Sequence, residues 1–221
     1  MKTYFITYSD QKYELHQKKL NEQAEKIFDG VYGYNREWLI KTEFYLENKT
    51  ILDEKRGAGY WLWKPYIILE TFKNIEYGDI ICYLDCGDTF KYNLINFLKD
   101  NFKNETDSLL TLGVYAQRFW TKRDCFILMG CDNKNYHNQT QLEAGILSFK
   151  KTDKIIEILN EWLYYCKNEN ILTDMPNIHG ENLTNFIDHR HDQSILTNLA
   201  IKYKLNINNN LRNFITCNVN Q

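Results

Sequence analysis

Apolar and polar positions alternate over Thr3–Tyr8, which predicts a first strand. Asp10 then suits a helix cap. Tyr13, Leu20, Ala24 and Ile27 or Phe28 follow at helical spacing, and the pattern stops near Gly30. Val31–Tyr34 is a short extended piece, after which Asn35 caps a second helix carrying Trp38, Leu39, Phe44 and Leu46. Strand, helix, strand, helix predicts a parallel sheet with crossovers, an α/β fold. Ile80–Leu84 is an unbroken apolar run rich in β-formers and reads as a buried strand. Pro65 fits the first turn of a helix over Tyr66–Asn74. Further helices are predicted over Leu94–Phe102, from Thr121 through Met129, from Thr152 to about Lys167, and over Asp192–Tyr203. Ser108–Val114 and Leu142–Phe149 read as strands, and Asn133–Thr140 and residues 168–188 as loops. Asn-rich residues 206–221 read as a loosely packed tail.

At 221 residues, with no repeat and no linker, the chain suits a single domain with a real core. Hydrophobic content of 43% and charged content of 25% fit a soluble globular protein. A formal net charge of -2 argues against a nucleic-acid partner, which asks for a basic footprint. No apolar run reaches transmembrane length, and Met1–Tyr8 is too short for a signal peptide, so a cytoplasmic location is expected. The cysteines form no C-x-x-C pair and read as reduced thiols. Four N-x-T sequons, at Asn48, Asn104, Asn138 and Asn182, are read as chance in an Asn-rich chain. Nothing in the sequence speaks to oligomeric state.

Three polar groups carry candidate chemistry. Asp85 and Asp88 flank Gly87 just past the carboxyl end of the Ile80–Leu84 strand, where open α/β sheets bind ligands. Two carboxylates this close suit a hard divalent metal; a solvated Asp-Gly turn is the plain alternative. Asp188-His189-Arg190-His191-Asp192-Gln193 crowds two His and two Asp at a helix entry. These residues suit metal or substrate, although Asp192 alone suits an N-cap. Glu143-Ala144-Gly145 places a glycine in a strand, where something approaches the backbone closely. Upstream, Lys64 opposes the dipole at a helix start, which makes sense if a phosphate binds there; a solvated lysine beside a packed Trp pair is the alternative.

These motifs carry a family resemblance. Tyr83-Leu84-Asp85-Cys86-Gly87-Asp88 resembles the Asp-x-Asp motif of glycosyltransferases of the GT-A fold. Glu143-Ala144-Gly145-Ile146-Leu147 resembles the Asn-Ala-Gly-Val strand of the retaining galactosyltransferase and glycogenin group, and Asp192-Gln193-Ser194-Ile195-Leu196-Thr197-Asn198 resembles its Asp-Gln-Asp-x-Leu-Asn helix start. The order matches over roughly residues 3 to 203. It departs in the Asp-x-x-Asp spacing, in Glu143 and Ser194, and in the lack of any His after His191.

The resemblance implies a GT-A, Rossmann-like, mixed and mostly parallel sheet with helices on both faces. A nucleotide-binding half would cover about 1–90 and a sugar and acceptor half about 105–205. It implies Mn²⁺ (or Mg²⁺) at Asp85 and Asp88, with the family's C-terminal His ligand replaced here by His191, or else by His189, Asp192 or water. A nucleoside-diphosphate sugar, UDP foremost, would meet Thr7, Tyr8, Arg56, Lys64, Asp85, Glu143, Ala144 and Gly145, although Tyr8 serves equally as core. Asp192 and Gln193 would stand at the reacting sugar, and a glycan or other hydroxyl compound would be the acceptor. Gln193 leans the stereochemistry toward retention; Asp192 acting as base would invert it. A sugar nucleotidyltransferase, or a non-catalytic carbohydrate- or nucleotide-binding module, is the alternative. The former normally wants a Gly-rich basic loop after the first strand, where this chain has Tyr8-Ser9-Asp10-Gln11-Lys12.

Overall fold

The computed structural model describes residues 1–103 and 106–217. Asn104 and Glu105 of one sequon, and the last four residues of the expected tail, lie outside them. The strands are β1 (Thr3–Ser9), β2 (Gly30–Asn35), β3 (Ile80–Leu84), β4 (Asp88–Phe90), β5 (Ser108–Ala116), β6 (Thr140–Lys150) and β7 (Ile215–Cys217). Five of them form one sheet in the order β2-β1-β3-β6-β5, and β4 pairs with β7 apart from it. β1 runs parallel to β2 and β3, while β6 is antiparallel to both β3 and β5. Four strands therefore share a direction and β6 opposes them, the mixed, mostly parallel sheet expected.

Helices cover both faces because successive strand residues point opposite ways. On β3, Ile81 and Tyr83 pack in one core with the helices Trp63–Lys73, Asp153–Cys166 and His191–Tyr203. Ile80, Cys82 and Leu84 pack in the other, with the helices Glu14–Ala24 and Leu94–Phe102. No helix among the described residues is long and apolar enough to cross a membrane. The five described cysteines are free and buried. Burial pushes the Cys82 and Cys86 thiols up to about 12, so neither is a ready nucleophile.

Local chemistry explains several boundaries. Asp10, Asn35 and Thr152 cap as expected, accepting from the backbone N–H of Lys12, Trp38 and Ile155. The helix expected after Asn35 is instead three short ones, Arg36–Leu39, Glu43–Glu47 and Lys49–Leu52. Thr42 interrupts it: its hydroxyl donates to the Leu39 carbonyl and accepts from the Tyr45 N–H, opening a new helix. Thr121 caps nothing; its hydroxyl donates to Gln117, and the helix runs over Arg123–Leu128. Two of the expected loops contain a helical turn, Lys134–His137 and Glu169–Leu172.

The end of the chain is not loose through residue 217. Asn208 donates to the Leu110 carbonyl, and the 3-10 helix Asn209–Phe214 carries Leu211 into the core. β7 then returns to β4, pairing Ile215 with Phe90.

Candidate active site

A cleft of about 980 Å³ opens at the carboxyl ends of β1 and β3. Tyr8 and Ser9 come from β1, residues 85–87 from the turn after β3, Asp88 and Thr89 from β4, and Gly57, Ala58, Trp61 and Trp63 from the glycine-rich segment. The Tyr8 ring lies flat on Trp63, centroids 4.0 Å apart and planes 18° off parallel. The glycine segment is a tight left-handed run, with φ of 58°, 50°, 101°, 51° and 58° from Gly57 through Trp61. At Gly59 a β-carbon would sit 2.7 Å from the Leu52 Cα, so only glycine fits.

Behind the cleft, Lys64 joins the motifs. It sits at the second position of the Trp63–Lys73 helix and is 2% exposed, so the solvated-lysine alternative does not hold. Its ammonium lies 3.5 Å from Asp85 Oδ1 and 3.3 Å from Asp192 Oδ2, and donates to the Ala144 carbonyl at 2.9 Å. Burial pulls the Lys64 pKa down, but the two carboxylates outweigh it and hold the group above its ordinary value. One ammonium cannot fully neutralise two carboxylates. Burial, with Asp85 adding repulsion and Lys64 opposing, raises the Asp192 carboxyl to about 6.

The neighbours of this ion triad are fixed. The Tyr83 hydroxyl donates to Asp85 Oδ1. Asp85 Oδ2 points at Gly145, where a β-carbon would lie 3.0 Å away; the close approach expected at this glycine is made by Asp85. The Asp85 N–H donates to the Gly145 carbonyl at 2.9 Å, and the Asp88 N–H to the Asp85 carbonyl at 3.0 Å. The Ala144 N–H donates to Gln193 Oε1 at 3.0 Å, and the Gln193 amide donates to Gln141 at 3.0 Å. Asp192 is not an N-cap: Arg190 holds that place, and Asp192 is the second residue of the helix, its carbonyl accepting from the Trp162 indole at 3.0 Å.

Asp85, Lys64, Ala144, Gly145, Asp192 and Gln193 are thus brought together, with Asp88 and Tyr8 on the cleft wall. Other candidates lie elsewhere. Thr7 is fully buried and absent from the cleft wall, because its side chain points to the opposite face from Tyr8. Arg56 pairs with Asp174 at 2.9 Å and Asp188 at 2.6 Å, tying the 168–188 loop to the glycine segment. Glu143 accepts from Arg212 at 2.8 Å.

His191 is not drawn to Asp85 and Asp88. Its Nδ1 meets the Leu172 carbonyl at 2.8 Å, and its ring packs on Tyr60 and Trp61. His189 Nε2 meets the Ile171 carbonyl at 2.9 Å, and burial lowers the pKa of both imidazoles. No group of three His, Cys, Asp or Glu able to hold a metal forms among the described residues, which corrects the expectation of His191 as a third ligand. Asp85 and Asp88 remain a pair of hard oxygen donors at the cleft, a set that fits Mg²⁺ or Mn²⁺ completed by phosphate oxygens and water.

Sequence reasoning passed over Tyr83, whose two-residue offset from Asp85 on a strand was the available signal. It also passed over Gln141, which links Gln193 to Ser194, and the cleft-facing row of Lys12, His16 and Lys19, at helical spacing.

No protein-family model matches the chain, and no curated protein matches it. Among solved structures it is similar to the apo structure of the WbbM bifunctional glycosyltransferase, at 11% identity and a TM-score of 0.50, covering 90% of this chain and 37% of that one. It is also similar to a glycosyltransferase involved in the glycosylation of the major capsid of PBCV-1, at 14% identity and a TM-score of 0.45, covering 80% and 72%. The galactosyltransferase LgtC, in complex with donor and acceptor sugar analogues, matches at 15% identity and a TM-score of 0.46, covering 89% and 70%. At these identities the likeness speaks for the fold. The fold is the GT-A arrangement of glycosyltransferases.

Proposed function

We propose that this chain is a metal-dependent glycosyltransferase that moves a sugar from a nucleoside-diphosphate sugar, UDP foremost, to a hydroxyl of a glycan or other acceptor. The observation that carries the reading is Lys64, which joins Asp85 at a large cleft to Asp192 behind it, in a GT-A fold. In this reading residues 1–90 meet the nucleotide, with the Tyr8–Trp63 stack as an aromatic floor, and residues 105–205 meet the sugar and acceptor. Asp85 and Asp88 hold a divalent cation, which supplies Lewis-acid neutralisation of the leaving diphosphate when bound.

Tyr83 and Lys64 both engage Asp85 Oδ1, so Oδ2 is the oxygen that would be left to hold the cation. Lys64 also adds fixed positive charge where negative charge grows as the anomeric carbon–oxygen bond to phosphate breaks. The sugar becomes oxocarbenium-like, and Asp192 and Gln193 face its hydroxyls and anomeric centre. The acceptor oxygen bonds to that carbon, and its proton leaves with the departing phosphate oxygen, giving retention.

Turnover of UDP- and GDP-sugars with and without Mn²⁺ tests the reading. Product release is expected to need the metal and to fall by at least about 100-fold in Asp85→Asn. Full activity in EDTA removes the metal role. Failure of every nucleotide sugar to raise the melting temperature removes the donor class. The anomer of the product, read by NMR, decides retention.

A further inference from the structure

The chain has six arginines. Four are ion-paired: Arg36 with Asp53, Arg56 with Asp174 and Asp188, Arg123 with Asp132, and Arg212 with Glu143. Arg118 and Arg190 form no ion pair among the described residues, and both lie over consecutive aromatic rings. The Arg118 guanidinium is 4.7 Å from the Phe119 ring centre, and that of Arg190 is 4.3 Å from the Trp120 ring centre. Arg118 also donates to the neutral Asn138 amide at 3.0 Å. Of the two carboxylates nearest Arg190 in sequence, Asp188 is already held by Arg56 at 2.6 Å and Asp192 by Lys64 at 3.3 Å.

Around these cations the surface is apolar and open. Tyr115 is 58% exposed and Ile187 63%. The Tyr115 ring is 5.5 Å from that of Trp120, and the Ile187 N–H donates to the Phe119 carbonyl at 2.8 Å. The patch is rigidly joined to the candidate active site. The Trp120 carbonyl accepts from the Arg190 N–H, the Ser194 hydroxyl and the Gln141 amide, and Gln141 holds Gln193.

We propose that this surface binds an acidic sugar, and that it is the acceptor subsite. Sugar rings present an apolar C–H face that suits an aromatic side chain. A guanidinium with no carboxylate partner suits a carboxylate or phosphate, which accepts two parallel hydrogen bonds from it. The two occur together here and, among the described arginines, only here. This deepens the glycosyltransferase reading by naming the chemistry of its acceptor: a glycan bearing a uronate or a phosphate.

The test is direct binding, without nucleotide or metal, so it does not depend on turnover. Calorimetric titrations compare a glucuronate-terminated disaccharide, its neutral glucose-terminated counterpart and glucose 6-phosphate. At least one acidic probe is expected to bind about 10-fold tighter than the neutral one, a difference of about 1.4 kcal/mol. That ratio is expected to collapse toward one in Arg118→Gln/Arg190→Gln, while melting temperature and UDP affinity stay unchanged. Preference for glucuronate alone assigns a carboxylate, and for glucose 6-phosphate alone a phosphate. Equal binding of all three, or an acidic preference that survives the double substitution, overturns the proposal. Absence of UDP binding with acidic-sugar binding intact would instead count against the donor reading.

Discussion

Lys64 and Asp192 meet at 3.3 Å with side chains only 2% and 5% exposed, so Asp192 is tolerated in the core because of Lys64, which Asp85 also holds at 3.5 Å. Removing one partner of such a pair leaves an uncompensated charge and typically costs about 3–5 kcal/mol. Lys64→Met is therefore expected to lose about 3 kcal/mol or more in urea denaturation. Adding Asp192→Asn is expected to recover at least about 1 kcal/mol of that, a non-additivity that marks direct coupling.

The stability of the protein should fall as pH rises through the titration of Asp192. Its carboxyl is raised from 3.8 in the free side chain to about 6 in the fold. Between those values the folded state binds more protons than the unfolded one, so ionisation works against folding. The stability difference between the wild type and Asp192→Asn is expected to shrink from pH 4 to pH 6 by roughly 2 kcal/mol and then level off. A difference that is flat across pH 4–6 would mean that Asp192 is already ionised at pH 4.

Gly145→Ala separates the site from the fold. The backbone there is not in the left-handed region, so alanine brings no strain. Its β-carbon would come within 3.0 Å of Asp85 Oδ2 and turn that partly exposed carboxylate away. Stability is expected to change by less than about 1 kcal/mol, while Mn²⁺ affinity, read by electron paramagnetic resonance, drops roughly 10-fold. Unchanged affinity would mean that Oδ2 does not coordinate.

Deleting residues 209–221 tests the end of the chain. It exposes the partners of Leu211 and Ile215, 0% and 8% exposed, and unpairs β4. A loss of about 3 kcal/mol is expected from two buried aliphatic side chains, seen as a melting temperature roughly 6–12 °C lower. A variant as stable as the full chain would return the segment to the loose tail that its composition predicts.

What the sequence made legible was local. The apolar run of β3, the alternation of β1 and the caps at Asp10, Asn35 and Thr152 are decided within a few residues, and all of these form, although the helix that Asn35 opens is cut short at Thr42. The glycine in β6 also meets the close neighbour expected of it, Asp85. What escaped depends on partners far along the chain. Lys64 stands out in sequence as a site cation, but its partners Ala144 and Asp192 appear only when β6 and the last helix close over it. Thr7 and Tyr8 are equivalent in composition, and only the sheet face decides which meets the cleft. His191 has the ligand chemistry, but a left-handed backbone (φ 48°) and the Leu172 carbonyl aim it elsewhere. Asn-rich polarity concealed the one leucine, Leu211, that fastens the end of the chain.

That fastening has a consequence for biosynthesis. Phe90 of β4, two residues beyond Asp88, finds its strand partner only when Ile215 has been made. At 5–20 residues per second the ribosome needs about 6–25 s to travel between them. Through that interval the nascent chain holds the cleft's carboxylates beside an unpaired edge. The 209–217 segment therefore acts as a clasp, and the site comes of age after the sheet that carries it.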